Sequence, residues 1–352
     1  MKKLYQTLLC ASLLGVAGCT GSGKTPQPVS GGFAKGADVG WLTEMEAAGK
    51  KFYTAAGTEM ECMALLKSLG MDAIRLRVWV DPPGTDDKYC RGTWNNTADM
   101  LVKARRAKAL GMRLMIDFHY SDCWADPAKQ FKPAAWKELS VEDLKTAVAA
   151  HTTEVLTALK NEDITPEWVQ VGNETPDGML WETGRASKNM ANYASLNNAG
   201  YDASKAVFPN AKVIVHVDNG YDNGRFCWLY DGLKENGGKF DVIGMSLYPS
   251  YREGYPTVGW QKTVDDCIKN ANDMITRYNT EVMICEVGMP WNEAEESKAY
   301  LTAIIEGTKN LPDGKGLGVF YWEPQSSSNW SGYTLGAFDN NGKPTAAMEA
   351  FK

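Results

Sequence analysis

The sequence predicts a single eight-stranded α/β barrel, on three observations. Short apolar runs suited to buried parallel strands alternate with longer stretches of helical period. Eight such pairs fit between residue 33 and the C-terminus, and eight is the number that closes a barrel. No linker or internal repeat interrupts them. An open doubly wound sheet is the alternative arrangement of the same units.

The chain begins with a segment outside this alternation. "MKK" and then "LYQTLLCASLLGVAG" make a short basic start, an apolar run and a small-residue end. That is the form of a secretory signal, too short to span a bilayer as a helix. "GVAGC" resembles the lipobox of bacterial lipoproteins, which implies cleavage before Cys19 and a lipid on that cysteine. Residues 1–18 are then a signal, 19–32 a flexible tether and 33–352 the barrel. The expected location is an exported, membrane-anchored lipoprotein of the outer membrane or cell surface. "GCTGSGKT" (18–25) also fits a phosphate-binding loop as a pattern. That reading fails because no buried strand precedes it, and Pro26 and Pro28 fall where its helix must start.

The strands are expected at 33–39, 73–80, 113–120, 167–174, 212–219, 240–248, 281–288 and 317–324. Helical patterns lie between them. "TEMECMALLKSLG" and "TADMLVKARRAKALG" each stop on a glycine. "SVEDLKTAVAAHTTEVLTALKN" opens on a loose capping box, Ser140 to Asp143.

The formal charge is −6, and −8 once Lys2 and Lys3 leave with the signal. A mildly acidic chain with scattered charge argues against a nucleic-acid partner. Twelve Trp and fifteen Tyr supply flat rings that can stack on sugar faces. Six cysteines remain after Cys10 and Cys19: Cys62, Cys90, Cys123, Cys227, Cys267 and Cys285. None shows C-x-x-C spacing, so a zinc knuckle is not expected. Export permits disulfides but sequence leaves their pairing open, and Cys285, in an apolar run, reads as a buried thiol.

Barrel chemistry sits at the C-terminal ends of the strands. Strand two carries Arg75 and Arg77, which period-2 geometry sends to one face. A buried arginine there needs a carboxylate, supplied by Glu286 or Glu174. Strand three gives Asp117 and His119, then a loop with Trp124. Strand four gives Asn173 and Glu174, strand five His216, Asp218 and Asn219, strand six Tyr248. Strand seven ends in Glu286, strand eight in Trp322 and Glu323. Glu174 and Glu286 thus form a carboxylate pair across the mouth, the apparatus of glycoside hydrolysis. One donates a proton to the departing oxygen, and the other attacks the anomeric carbon or activates water.

The segments "GADVGWL", "AIRLRVWVDPPG", "DFHYSDCWADPAKQFKPAAW", "QVGNETPDGMLW", "GMSLYPSY" and "GVFYWEP" resemble those of the endo-β-1,4-galactanases of glycoside hydrolase family 53. They run in order from residue 34 to the C-terminus. The resemblance implies a (β/α)8 fold and internal, retaining hydrolysis of β-1,4-galactan, the galactose side chain of pectin. It places the acid/base on Glu174 and the nucleophile on Glu286, with Arg75 binding the nucleophile and Asn173 the sugar 2-hydroxyl. His119, His216, Tyr248 and Trp322 fall on further site positions. Asp117, Trp124 and Asp218 complete the expected substrate-binding set, and Trp330 in "SSSNWSG" offers a further platform. Arg75 is expected to lower the pKa of Glu286.

Strand seven reads "CEVGMPW" where the family has a pattern like "ETxxP". Some bacterial members hold calcium in long loops after strands seven and eight. Here "MPWNEAEESKAYL" returns quickly to a helical pattern, so neither a metal nor a cofactor is expected. The protein is expected to be a monomer acting on galactan. Rival readings are a non-catalytic glycan-binding lipoprotein, a retaining glycosidase of another specificity, and a metal-dependent barrel hydrolase.

Overall fold

The computed structural model describes residues 31–352, apart from 85, 88–89, 256 and 328–329. The expected signal, the expected lipidation site Cys19 and the phosphate-loop pattern lie outside the described residues. So does the tether, save exposed Gly31 and Gly32.

The eight strands are β1 (Ala34–Asp38), β2 (Ala73–Val78), β3 (Arg113–Phe118), β4 (Trp168–Val171), β5 (Lys212–Val217), β6 (Val242–Leu247), β7 (Glu281–Val287) and β8 (Gly316–Trp322). All neighbours are parallel, and β1 pairs with both β2 and β8, which closes the barrel. Each strand was expected, but several end two or three residues early. β4 stops at Val171 because Gly172 (φ 81°) and Glu174 (φ 41°) turn the chain left-handed. Asn219 (φ 52°) and Glu323 (φ 49°) adopt the same conformation after β5 and β8. Non-glycine residues held there store strain, and such strain collects at functional sites.

The helices between strands are α1 (Leu42–Ala47), α2 (Cys62–Ser68), α3 (Thr97–Ala109), α4 (Val141–Lys160), α5 (Met190–Val207), α6 (Asn223–Glu235), α7 (Gly259–Tyr278) and α8 (Ala294–Lys309). They cover the outer face of the strands, so most strand residues are buried on both sides. α4 shows how the sequence specifies one. The Ser140 hydroxyl accepts from the Asp143 N–H at 3.2 Å, while the Asp143 carboxylate takes the Ser140 hydroxyl proton at 2.7 Å. Leu144, Val148, Val155, Leu156 and Leu159 then recur at helical spacing on its buried face. α2 starts later than expected, where the Glu61 side chain caps the Ala64 N–H at 2.7 Å.

The barrel interior is layered. Ala34, Ala73, Met115, Trp168, Ile214, Val242, Met283, Cys285 and Phe320 form an apolar plug separate from the outer core. Two residues further along the strands, the same inward columns become polar: Arg75, Asp117, Gln170 and His216. The large rings of Trp168 and Phe320, 6.0 Å apart, fit because small residues face them. A Cβ on Gly36 would lie 2.2 Å from the Phe320 ring. Gly36→Ala is therefore expected to destabilise the fold by about 1–3 kcal/mol through overpacking, read as a lowered midpoint in denaturant unfolding. An unchanged midpoint would mean that the Phe320 ring has room to move.

Candidate active site

The site is organised around Arg75, which is fully buried. Its Nη1 meets Asp38 at 2.9 Å and Glu286 at 2.8 Å, and its Nη2 meets Asp117 at 2.9 Å and the Asn173 side-chain oxygen at 2.9 Å. The Gln170 side-chain oxygen accepts from Nε at 3.2 Å and Nη2 at 3.1 Å. The carboxylate predicted for Arg75 is thus Glu286, and Asp38 and Asp117 share the same cation. Asp38 then bridges to Arg77 at 3.2 Å, which also binds Glu323. One polar network joins β1, β2, β3, β4, β7 and the end of β8.

Glu286 reaches the mouth through a bulge. Strict alternation from Met283 and Cys285 would send Glu286 out toward the helices. Instead the pairing of β6 and β7 slips between Met245↔Ile284 and Ser246↔Glu286, adding one residue on β7. A bulge re-aims side chains in this way beside active sites. The Tyr248 hydroxyl donates to Glu286 at 2.9 Å. Burial raises the Glu286 carboxyl to about 7; Arg75 opposes this, while Asp117 and Asp38 reinforce it. Arg75 does pull it down as expected, but burial outweighs that pull, and Asp117 and Asp38 share the same guanidinium.

Glu174 is half-buried at the end of the β4 turn. Its Oε1 accepts from the Ser246 hydroxyl at 2.6 Å. Burial, then the charges of Glu286 and Asp218, push its carboxyl well above the usual range. Gln130 fixes the backbone here by donating to the carbonyls of Asn173 (2.8 Å) and Glu174 (2.9 Å). One oxygen of Glu174 lies within 4.8 Å of one of Glu286. Retaining enzymes hold their carboxyls about 5–5.5 Å apart, and inverting ones need roughly 6.5–9.5 Å to admit a water. The separation belongs to the first class.

Two separate hollows lie at the mouth of the barrel. Over β8, β1 and β2 stands an aromatic box of about 260 Å³, built from Trp41, Trp79, Trp124, Trp322 and Tyr333. Trp41 and Tyr333 meet Trp322 at 4.9 and 4.6 Å between centroids. The Arg77 guanidinium packs 4.4 Å from the Trp124 ring, a cation–π contact. Strands four apart face each other across an eight-stranded barrel, so the loops after β4 and β5 lie opposite this box. Pro176, Asp177, Asp218, Arg225 and Trp228 line a separate open groove together with Pro127 and Ala128, on the other side of the turn whose Asp126 and Lys129 line the box. The Trp228 ring is exposed, as is that of Tyr251 after β6.

The predicted residues separate into two groups. Glu174, Glu286, Tyr248, Trp124 and Trp322 border the cleft. Arg75, Asp117 and His216 were expected to bind substrate, but each has 0 % exposure. They lie beneath the cleft and hold other side chains instead. His119 and Asn173 are also nearly covered: the His119 ring binds Asp117 at 3.0 Å and takes the Ala125 N–H at 3.1 Å. Burial raises the Asp218 carboxyl against the pull of Arg225, whose Nη1 lies 2.6 Å away. Trp330 stands beside the box, with Lys50 5.9 Å from its ring, while Ser331, Gly332 and Tyr333 line the pocket itself. Cys90 and Cys123 form a disulfide that ties the β2 and β3 loops next to Trp124. Cys285 is a buried free thiol, as its surroundings implied.

Sequence reading missed Asp38, Gln170 and Ser246. Gln170 was within reach, as an amide two residues from Trp168 in an apolar strand. Ser246, in "IGMSLY", carried no comparable signal. The aromatic partners Trp41 and Trp79 were also missed, since nothing local distinguishes them from core tryptophans.

A closed (β/α)8 barrel with two carboxylates facing each other beneath an aromatic cleft defines the class of barrel glycoside hydrolases. Residues 34–351 match the model of glycosyl hydrolase family 53, and the chain belongs to that family. It is 31% identical to an endo-β-1,4-galactanase of Bacillus subtilis over 314 residues, covering 83% of this chain and 70% of that one. An arabinogalactan endo-β-1,4-galactanase of Thermothelomyces thermophilus is 30% identical over 311 residues, covering 82% and 89%. The solved GH53 catalytic domain of Ignisphaera aggregans superposes with a TM-score of 0.81 at 28% identity, covering 93% of this chain and 98% of that one.

The network makes a direct prediction. Arg75→Met leaves three buried carboxylates without their cation and should destabilise the protein by about 3–5 kcal/mol. Calorimetry would read this as a large fall in Tm, with loss of hydrolytic activity even well below the new midpoint. A near-native Tm would show that the carboxylates find other partners.

Proposed function

We propose that the protein is an endo-acting, retaining β-1,4-galactanase that cleaves galactan and type I arabinogalactan, and that it is held at a membrane by a lipid on Cys19. The observation that carries the reaction is the pair Glu174 and Glu286, within 4.8 Å and in different electrostatic settings. Galactan as substrate is supported by the family and by the names of its relatives. Internal cleavage is supported by the names of the same relatives, which are endo-acting galactanases.

The chemistry follows from the two environments. Glu286 touches Arg75 and the Tyr248 hydroxyl, which favour its ionised form. Glu174 forms no ion pair among the described residues, and burial and the charges of Glu286 and Asp218 favour its protonated form over the weaker pull of Ser246 and Arg75. In the first step a Glu286 oxygen attacks the anomeric carbon as Glu174 transfers its proton to the departing glycosidic oxygen. An ester joins sugar and Glu286, whose charge is now gone, so the Glu174 pKa falls. Glu174 then takes a proton from water, the hydroxide oxygen bonds to the anomeric carbon, and Glu286 leaves as carboxylate. Two inversions give net retention. Trp322 offers a ring against which the sugar packs.

Glu286→Ala should lose activity on the order of 10⁴-fold or more on every substrate. Glu174→Ala should retain turnover of aryl galactosides that need little acid help. Azide should rescue Glu174→Ala to a β-galactosyl azide and Glu286→Ala to the α-azide. The reverse pattern would exchange the two roles, and inactivity of the wild type on linear galactan would remove the proposed substrate.

The pH profile provides a separate check. Activity needs Glu286 ionised and Glu174 protonated, and the pair titrates as a coupled unit. As pH falls, activity is lost when Glu286 gains a proton; as pH rises, when Glu174 loses one. With Glu286 raised to about 7, the acid limb of kcat/KM should lie above the ordinary glutamate range, and the alkaline limb higher still. An acid limb near the ordinary value would contradict this arrangement.

For the anchor, wild-type protein made in a bacterial host should enter the detergent phase on phase separation, and Cys19→Ala the aqueous phase. Wild type in the aqueous phase would disprove lipidation.

A further inference from the structure

Behind Glu174, four side chains form a line from Arg75: Gln170, His216, Ser246 and Glu174. We propose that Gln170, His216 and Ser246 are positioning residues that pass a fixed hydrogen-bond direction from Arg75 to Glu174, so that Glu174 Oε1 always accepts and its acidic proton is confined to Oε2. This rests on the reading of Glu174 as the acid/base.

The direction follows from donors and acceptors alone. Arginine only donates. The Gln170 Oε1 accepts from Arg75 Nε and Nη2 at 3.2 and 3.1 Å, so its amide cannot turn round. The Gln170 NH₂ therefore faces away from Arg75. One of its hydrogens goes to Asp117 Oδ1 at 2.6 Å, and the other points at His216 Nδ1 at 2.9 Å. The Glu174 backbone N–H aims at the same nitrogen from 3.3 Å. Two donors converge on Nδ1, so Nδ1 is the acceptor and the ring hydrogen sits on Nε2. Nε2 lies 2.8 Å from Ser246 Oγ and donates to it. The single hydroxyl hydrogen of Ser246 is then committed to Glu174 Oε1 at 2.6 Å. Asn173 Oδ1, which can accept twice, also lies 3.2 Å from Nδ1 and would serve an Nδ1–H tautomer. It lies 3.2 Å from the Gln170 NH₂ as well, as does the Gly172 carbonyl, but both contacts are longer than those of that NH₂ to Asp117 and His216. Burial and the nearby Arg75 charge hold the imidazole well below its ordinary value, so His216 stays neutral.

The arrangement serves both halves of the cycle. With Oε1 occupied by a donor, the proton that Glu174 delivers sits on the other oxygen. In the second step the Ser246 donation stabilises the carboxylate that must act as base. The other groups acting on Glu174 are Glu286 on β7, Asp218 after β5 and Arg75 on β2, with Tyr248 and Tyr251 after β6 also within its field. None of these donates a hydrogen bond to it among the described residues, so Ser246 alone sets the direction.

The first test uses the wild-type chain, which has three histidines. ¹⁵N-histidine NMR should show His216 as the Nε2–H tautomer across the active pH range. An Nδ1–H tautomer would reverse the line and overturn the proposal without any variant having to fold. The second test is Ser246→Ala, compared with Ser246→Thr, which keeps a hydroxyl. Loss of the donor should move the alkaline limb of kcat/KM upward by about one pH unit. It should slow the second step about tenfold. With an aryl β-galactobioside bearing a good leaving group, kcat and KM should fall together as the intermediate accumulates. A substrate limited by the first step should change much less. Ser246→Thr should restore the profile. An unmoved alkaline limb, with both steps slowed alike, would mean that Ser246 only packs. Absence of azide rescue in Glu174→Ala would instead refute the acid/base reading, leaving the histidine tautomer as an independent result.

Discussion

One guanidinium holds this site together. Arg75 sits where the inward columns of the barrel change from apolar to polar, with Phe320 and Trp168 in the plug below. A charge in that position costs several kcal/mol of desolvation unless carboxylates surround it. Asp38, Asp117 and Glu286 do so from three different strands. The same requirement places the proposed nucleophile, because Glu286 is a counter-ion of Arg75. Stability and chemistry are therefore coupled here, and the site cannot loosen without exposing an unpaired charge.

The cation does not act equally on its neighbours. Glu286 contacts it directly, whereas Glu174 is reached through Gln170, His216 and Ser246. A direct contact stabilises negative charge, while a hydrogen-bond line transmits mainly orientation. This difference gives two glutamates of identical chemistry unlike surroundings, on which their proposed roles as nucleophile and proton donor rest. Through Asp38 the network extends to Arg77, Glu323 and the tryptophans packed on Arg77. The wall of the aromatic cleft is thus tied to the catalytic pair by ion pairs rather than by packing alone.

Much of this was legible in the amino-acid order. Eight apolar runs with helices between them dictate a closed parallel barrel, because each strand needs both faces covered and eight strands suffice for closure. Glu174, Glu286, Tyr248 and Trp322 were recognisable as polar or aromatic residues ending apolar strands. Reading went wrong where burial had to be known. Asp117 and His216 look like ligand-binding groups in sequence, yet both are fully buried among Arg75, Gln170 and Ser246.

The sequence by itself determined the strand count, the parallel arrangement, and which end of the barrel carries chemistry, since these depend on periodicity and local turn residues. Tertiary structure alone decided the rest. Closure brought Asp38 on the first strand beside Arg75 on the second and Glu286 on the seventh, and no local pattern encodes that meeting. The bulge on β7 turned Glu286 inward against the alternation its own strand displays. The raised pKa of that residue also belongs to the assembled site. It depends first on burial and then on how Arg75, Asp117 and Asp38 surround the carboxyl, which are properties of distances in space and not of spacing along the chain.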